Sequence, residues 1–243
     1  MKVAVMGGTG MIGSQVVEDL QEAGHEVAGY SLSSGVDLTS GKGVAEAVAG
    51  SDVVVDVTDS PTFDAASVDF FRAATSHLVE ESAKAGVRHI VLLSIVGVDL
   101  VPGVDYYRAK VLQEDLLKAG PVPYSIVRAT QFMEFVRFLV STAARTTPVR
   151  LPSTLVQPIA AREVAAAVAE AAVNPPLRGT VDIAGPEVFP IDELGRVTLA
   201  AQDDSREVVT DDSAGMLAAV RGDALTAKEG ARLASTHYRD WLS

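Results

Sequence analysis

The run Gly7-Gly8-Thr9-Gly10-Met11-Ile12-Gly13 constrains this chain more than any other stretch. Ahead of it, Lys2 to Met6 is a short apolar run of strand length. Behind it, Ile12, Val16, Val17 and Leu20 fall on one helical face, and Gly24 ends the segment. Glycine at every third position has a physical meaning in such a strand–turn–helix. Gly7 allows the tight turn, Gly10 leaves the backbone bare where a pyrophosphate approaches, and Gly13 lets the helix pack closely on the strand. The helix start adds free N–H groups and the positive end of its dipole. Gly7, Thr9, Gly10, Met11, Ile12 and Gly13 are therefore the expected phosphate cradle. An ordinary glycine-rich βα turn is the bland alternative, and the strand–helix context favours a dinucleotide site over it.

The rest of the chain continues the rhythm. Strands are expected at 26–30, 52–57, 88–93 and 124–127, helices at 44–49, 64–85 and 105–118, with short connections between them. Such alternation means parallel strands joined by right-handed crossovers. After Arg128 the pattern loosens: a mostly apolar helix at 132–144, irregular structure around Pro148, Pro152 and Pro158, helices at 161–173 and 191–202, strands at 180–183 and 207–210, and an amphipathic tail from Thr226 with Ala231, Ala234, Tyr238 and Trp241 on one face. The expected fold is α/β: a Rossmann-type doubly wound parallel sheet forming one domain over 1–243, with residues from about 132–160 and 186–243 making a small C-terminal substrate-binding lobe.

Composition bounds the partners. The 48% hydrophobic and 5% aromatic content suits a buried parallel sheet under alanine-rich helices. A net charge of −12 argues against a nucleic-acid or anionic-membrane partner. With no cysteine, disulfides, thiol nucleophiles and Cys metal sites are excluded, and His25, His77, His89 and His237 show no metal-ligand spacing, so no metal is expected. A strand from residue 2 and the lack of an apolar run of spanning length lead to the expectation of a cytoplasmic protein without signal peptide or membrane segment. A small-molecule substrate and a monomer or homodimer are expected.

Ligands of open α/β sheets bind beyond the carboxyl ends of the strands. Ser94 is expected at one such end, and Tyr106 and Lys110 follow at helical i, i+4 spacing. An ammonium beside a phenol lowers the phenol's pKa, which suits a proton donor to a carbonyl, and Ser94 is placed to hold the substrate oxygen. The spacing alone is weak evidence; the strand-terminal serine ahead of it strengthens it.

The segments 7–13, 91–97 (VLLSIVG), 106–114 (YYRAKVLQE), 126–132 (IVRATQF) and 157–164 (QPIAAREV) together resemble the short-chain dehydrogenase/reductase superfamily, in its atypical, NmrA-like branch. The resemblance spans essentially the whole chain. It implies that Ser94, Tyr106 and Lys110 are the catalytic set, with Lys110 also on the nicotinamide ribose. It also implies that Asp37 and Leu38 contact the adenine, that Val57 and Thr58 pass the adenosine and ribose, and that Thr130 lies on the nicotinamide side. Gln131, Phe132 and Met133 fall on the substrate side, while Phe135 and Phe138 read as core. Some NmrA-like members lack the tyrosine and act as redox sensors; this chain keeps all three groups.

One departure stands out. The second strand of such folds ends in an acid for an NAD ribose or an arginine for an NADP phosphate, whereas Tyr30-Ser31-Leu32-Ser33-Ser34 has neither. With no carboxylate to repel a phosphate, and with Ser31 and Ser33 as hydroxyl donors, NADP(H) is favoured over NAD(H). The expectation is an NAD(P)H-dependent reductase of a small carbonyl or quinone-like substrate, with the proton from Tyr106. The alternatives are a non-catalytic NAD(P)-sensing regulator and a cofactor-dependent or redox-neutral isomerase or epimerase.

Overall fold

The computed structural model describes residues 1–243. Strands β1 (Lys2–Met6), β2 (Glu26–Tyr30), β3 (Val53–Asp56), β4 (His89–Ile95) and β5 (Tyr124–Ala129) alternate with helices α1 (Met11–Glu22), α2 (Val44–Val48), α3 (Ala66–Lys84) and α4 (Asp105–Ala119). The later part holds α5 (Met133–Ala143), β6 (Val149–Leu151), β7 (Leu155–Val156), α6 (Ala161–Val173), β8 (Gly179–Ala184), β9 (Phe189–Pro190), α7 (Ile191–Ala201), β10 (Val208–Thr210), β11 (Arg232–Leu233) and α8 (Tyr238–Leu242).

The central sheet is seven-stranded and parallel, in the order β11-β8-β5-β4-β3-β1-β2. After β1 the chain adds β2 on one side and β3 on the other, so the order reverses at β1. Register is set by pairs such as Val5 with Gly29 and Val5 with Val55. Val3 to Met6, Val53 to Val55 and Ile90 to Leu92 are all buried, the continuous apolar run expected of strands covered on both faces. Contacts divide the chain into two compact units: Met1–Ser94, Val104–Arg128 and Arg162–Val181 form the first, and Ile95–Gly103, Ala129–Ala161 and Asp182–Ser243 the second.

In the first unit, α3 and α4 pack along each other, and Ala74, Leu78 and Leu117 join Ala4, Val54, Ile90 and Leu92 in one apolar cluster. In the second unit, β6 pairs in parallel with β10, β7 pairs antiparallel with β9, and α7 packs on α5 and α8. The tail departs from the expected amphipathic stretch. Arg232 and Leu233 pair with Ile183 and Ala184 as the edge strand, and only Tyr238–Leu242 is helical. Tyr238 is fully buried with its hydroxyl 2.8 Å from Thr198 Oγ1, and Trp241 stacks on it. Phe138, expected in the core, is 60% exposed on α5, because the buried stripe of that helix runs through Met133, Val136 and Val140 instead.

Candidate functional site

The glycine turn lies at the carboxyl end of β1, where the strand order reverses and α/β sheets bind ligands. Gly7 has φ +80°, a left-handed conformation that other residues adopt at a cost. Its N–H and that of Gly8 both donate to the Tyr30 carbonyl, at 2.9 and 3.1 Å, tying the turn to the end of β2. Gly13 is required by contact: a Cβ there would stand 2.1 Å from the Gly7 oxygen. Gly10 is the exposed N-cap of α1 with no side-chain cap, and Ser14 N–H to Gly10 O, at 3.0 Å, is the first bond of the helix. The N–H groups of Met11, Ile12 and Gly13 therefore have no intrahelical acceptor. Thr9 and Met11 are exposed beside them. This is a cradle that fits a dinucleotide's phosphates.

At the end of β2, Ser31 and Ser33 share a hydrogen bond between hydroxyls (2.8 Å), and Ser34 Oγ donates to the Ser31 carbonyl (2.9 Å). Asp37 is engaged internally. Its carboxylate accepts from Thr39 N–H and Oγ1 and from Ser40 Oγ, bonds that hold its pKa down at about 2. Leu38 is buried and its carbonyl meets His77 Nδ1 at 2.8 Å. Past β3, Val57 N–H donates to Met6 O, and Thr58 donates through N–H and Oγ1 to Asp56 Oδ1.

The expected catalytic set all lies in the first unit, with partners that the sequence did not disclose. Ser94 sits inside β4, one residue before its end, and donates to Glu114 Oε1 at 2.7 Å. Glu114 is fully buried and accepts a two-pronged contact from Arg128 (2.8 and 2.7 Å) and one bond from Lys118 (3.0 Å). Burial opposes ionisation of Glu114, but Arg128, Ser94 and Lys118 outweigh it and keep the carboxyl below its ordinary value.

Lys110 is 4% exposed, bonded to the Leu93 carbonyl (2.9 Å) and to Gln113 Oε1 (2.5 Å), and sits over the Phe71 ring. Gln113 Nε2 in turn donates to the buried Asp56. Burial pushes Lys110 down and Asp56 up, each toward its neutral form.

Tyr106 donates to Asp59 Oδ1 at 2.6 Å and meets Phe63 edge-on at 5.0 Å. Burial, then the Asp59 charge and its hydrogen bond, push the phenol above its ordinary value. This corrects the electrostatics expected from i, i+4 spacing. Shared face places two side chains on one side of the helix, but the long lysine stem carries its ammonium to β4 and Gln113 rather than to the phenol. Asp59, Gln113 and Glu114 are the residues that spacing rules passed over. The signal available for the last two was their own helical spacing from Lys110, and for Asp56 a carboxylate inside an apolar run.

In the second unit, Thr130 N–H donates to Ile183 O (3.0 Å), and its Oγ1 accepts from Gly185 N–H (3.4 Å). Gln131 Oε1 accepts from Gln157 N–H (3.3 Å), while its buried Nε2 has no partner. Met133 is fully buried, so of Gln131, Phe132 and Met133 only Phe132 keeps appreciable exposed surface.

Fold and turn together define a dinucleotide-binding α/β protein. Residues 7–175 match the NAD(P)H-binding family, and the chain belongs to it. Among solved structures, the chain is similar to a UDP-glucose 4-epimerase from Thermus thermophilus in complex with NAD: 20% identity, TM-score 0.71, covering 87% of this chain and 86% of that one. It is similar at 17% identity to a dTDP-4-dehydrorhamnose reductase ortholog from Clostridium acetobutylicum (TM-score 0.71; 87% and 84% covered). A third, at 16% identity, is the dTDP-glucose 4,6-dehydratase DesIV from Streptomyces venezuelae, with NAD and TYD bound (TM-score 0.72; 87% and 85% covered). At these identities the likeness is one of fold. No curated protein matches the chain. No helix is long and apolar enough to cross a membrane, and no group of His, Cys, Asp and Glu is arranged to hold a metal ion.

Proposed function

We propose that the protein is an NmrA-like NAD(P)H-dependent reductase of a small carbonyl or quinone-like substrate. The observation that carries this reading is a phenol held neutral, Tyr106, in the same compact unit as the glycine cradle. The bound dinucleotide supplies the hydride. The chain's residues do the rest. Met11, Ile12 and Gly13 offer N–H groups to the phosphates, and Gly7, Thr9 and Gly10 line the approach. Ser31 and Ser33 present hydroxyls without a carboxylate, which favours NADP(H). Asp37 and Leu38 are assigned to the adenine side, Val57 and Thr58 to the adenosine and ribose, Thr130 to the nicotinamide, and Lys110 to the ribose.

Tyr106 stores the proton to be delivered. Delivery begins when its hydroxyl exchanges Asp59 for the substrate oxygen as acceptor. Ser94 takes part at that oxygen only by turning away from Glu114. Gln131 brings a free amide donor to the substrate side, Phe132 an apolar surface, and Met133 the packing behind it. Loss of NADPH, followed against a panel of quinones and aldehydes, tests the reading. Binding without turnover across the panel defeats it.

A second reading, a non-catalytic NAD(P) sensor, is favoured by the fact that Ser94, Lys110 and Tyr106 each already have an internal partner. Tight binding with no turnover supports it. Substrate conversion with no net change in the cofactor instead points to an isomerase or epimerase.

A further inference from the structure

A lysine ammonium has three N–H bonds to give. In Lys110 one goes to the Leu93 carbonyl at 2.9 Å and one to Gln113 Oε1 at 2.5 Å. With two tetrahedral directions fixed, the third is fixed as well, and no protein acceptor takes it. Gln113 is itself immobilised. It is fully buried, and its Nε2 donates to Asp56 Oδ2 at 3.1 Å, while Asp56 Oδ1 is occupied by Thr58. Turning the amide over would set NH2 against the ammonium and C=O against the carboxylate, so only one orientation works.

We infer that Gln113, backed by Asp56, is a positioning residue that aims the third N–H of Lys110, and that this bond serves a neutral acceptor such as a sugar hydroxyl. The inference rests on the proposed place of Lys110 at the cofactor ribose and adds the pair that directs it. An amide suits the task. A carboxylate in its place would draw the ammonium into an ion pair, whereas the amide anchors it and leaves a donor available. The groups facing Lys110 are Asp56 on β3, Asp59 beyond that strand and Glu114 on α4, with the Phe71 ring of α3 beneath the charge and Tyr106 one turn back on α4.

The test is calorimetric titration with NADPH from about pH 6 to 9, in the wild type and in Gln113→Met, Asp56→Asn and Lys110→Met, each checked for fold by circular dichroism. Gln113→Met keeps the length of the side chain and removes both bonds. It is expected to weaken binding about tenfold, the scale of one hydrogen bond to a charged group. Asp56→Asn keeps the shape and removes the charge that favours the ammonium. It is expected to bind within about twofold of wild type at the acid end and to lose affinity at a lower pH than wild type, a shift that a merely structural role would not produce. Wild-type affinity and pH profile in both variants, beside weakened binding in Lys110→Met, overturn the inference and leave the cofactor role of Lys110 standing. Wild-type binding by Lys110→Met removes that role and the inference with it. Should Gln113→Met not fold, the pH profile of Asp56→Asn decides alone.

Discussion

Tyr106 and Asp59 are separated by 47 residues yet share a 2.6 Å hydrogen bond, and burial together with that partner sets the properties of the phenol. Tyr106→Phe is expected to cut turnover about 10²–10⁴-fold, the range of general acid catalysis, while NADPH affinity stays put. Full activity in that variant removes Tyr106 from the chemistry. Asp59→Asn keeps a hydrogen-bond partner and the burial that raises the phenol most, but removes the charge that adds to it. A general acid works only while protonated, so the alkaline limb of kcat against pH should move to lower pH in this variant; an unmoved limb means that Asp59 does not govern the proton. At the turn, Gly10→Val should abolish dinucleotide binding with the circular dichroism spectrum intact, since the exposed cap would carry a branched side chain where phosphate approaches. Ser31→Asp should turn preference toward NAD(H), read from paired titrations of both cofactors. What was legible at this scale was local. A glycine turn states its own requirements within seven residues, whereas the partners of Tyr106 and Ser94 lie on other elements, which spacing rules do not see.

Elements were legible where periodicity was long and uninterrupted. The apolar runs of β1, β3 and β4 and the stripe of α1 left little freedom, and α6 has the limits expected of it. Ends shifted where backbone pairing extends past the apolar run: β5 continues to Ala129 and β4 to Ile95, which moves Ser94 from a strand end to its interior. The tail differs from its expected form for a different reason. Its apolar residues at helical spacing are equally compatible with a short extended segment, and pairing with β8 decides for the strand. His89 illustrates how an element's burial acts on stability. On β4 it is buried, with Nε2 2.9 Å from Ser125 Oγ on β5, and burial lowers its pKa to about 4. The unfolded imidazole titrates near 6.5, so between those values the unfolded chain binds the extra proton. The stability from keeping His89 neutral is complete above about pH 6.5 and is lost as pH falls toward about 4, by at most about 1.4 kcal/mol per unit. Urea unfolding at about pH 7.5 and 5 should show this slope, flattened in His89→Gln. An equal slope in the variant assigns it to other groups.

For the whole molecule, the dinucleotide is expected to act as a stabiliser. At about 100 times its Kd a ligand that binds only the folded state adds about 2.7 kcal/mol, which for a chain of this length raises Tm by roughly 5–10 °C. Thermal scans with and without NADPH check this, and an unchanged Tm at saturation contradicts specific binding. The sheet topology carries one more consequence. Its last strand is two residues long, Arg232 and Leu233, contributed by a segment close to the carboxyl terminus. Those residues pair with Ile183 and Ala184 and close the last part of the outer edge of β8, much as a hem keeps cloth from fraying. Cut the chain ahead of Arg232 and Ile183 and Ala184 lose their partners, so that the open edge of β8 runs to its end as a template on which a second molecule can add its own strand. Light scattering should find such a shortened chain drifting into larger assemblies while the chain that keeps Arg232 and Leu233 stays dispersed.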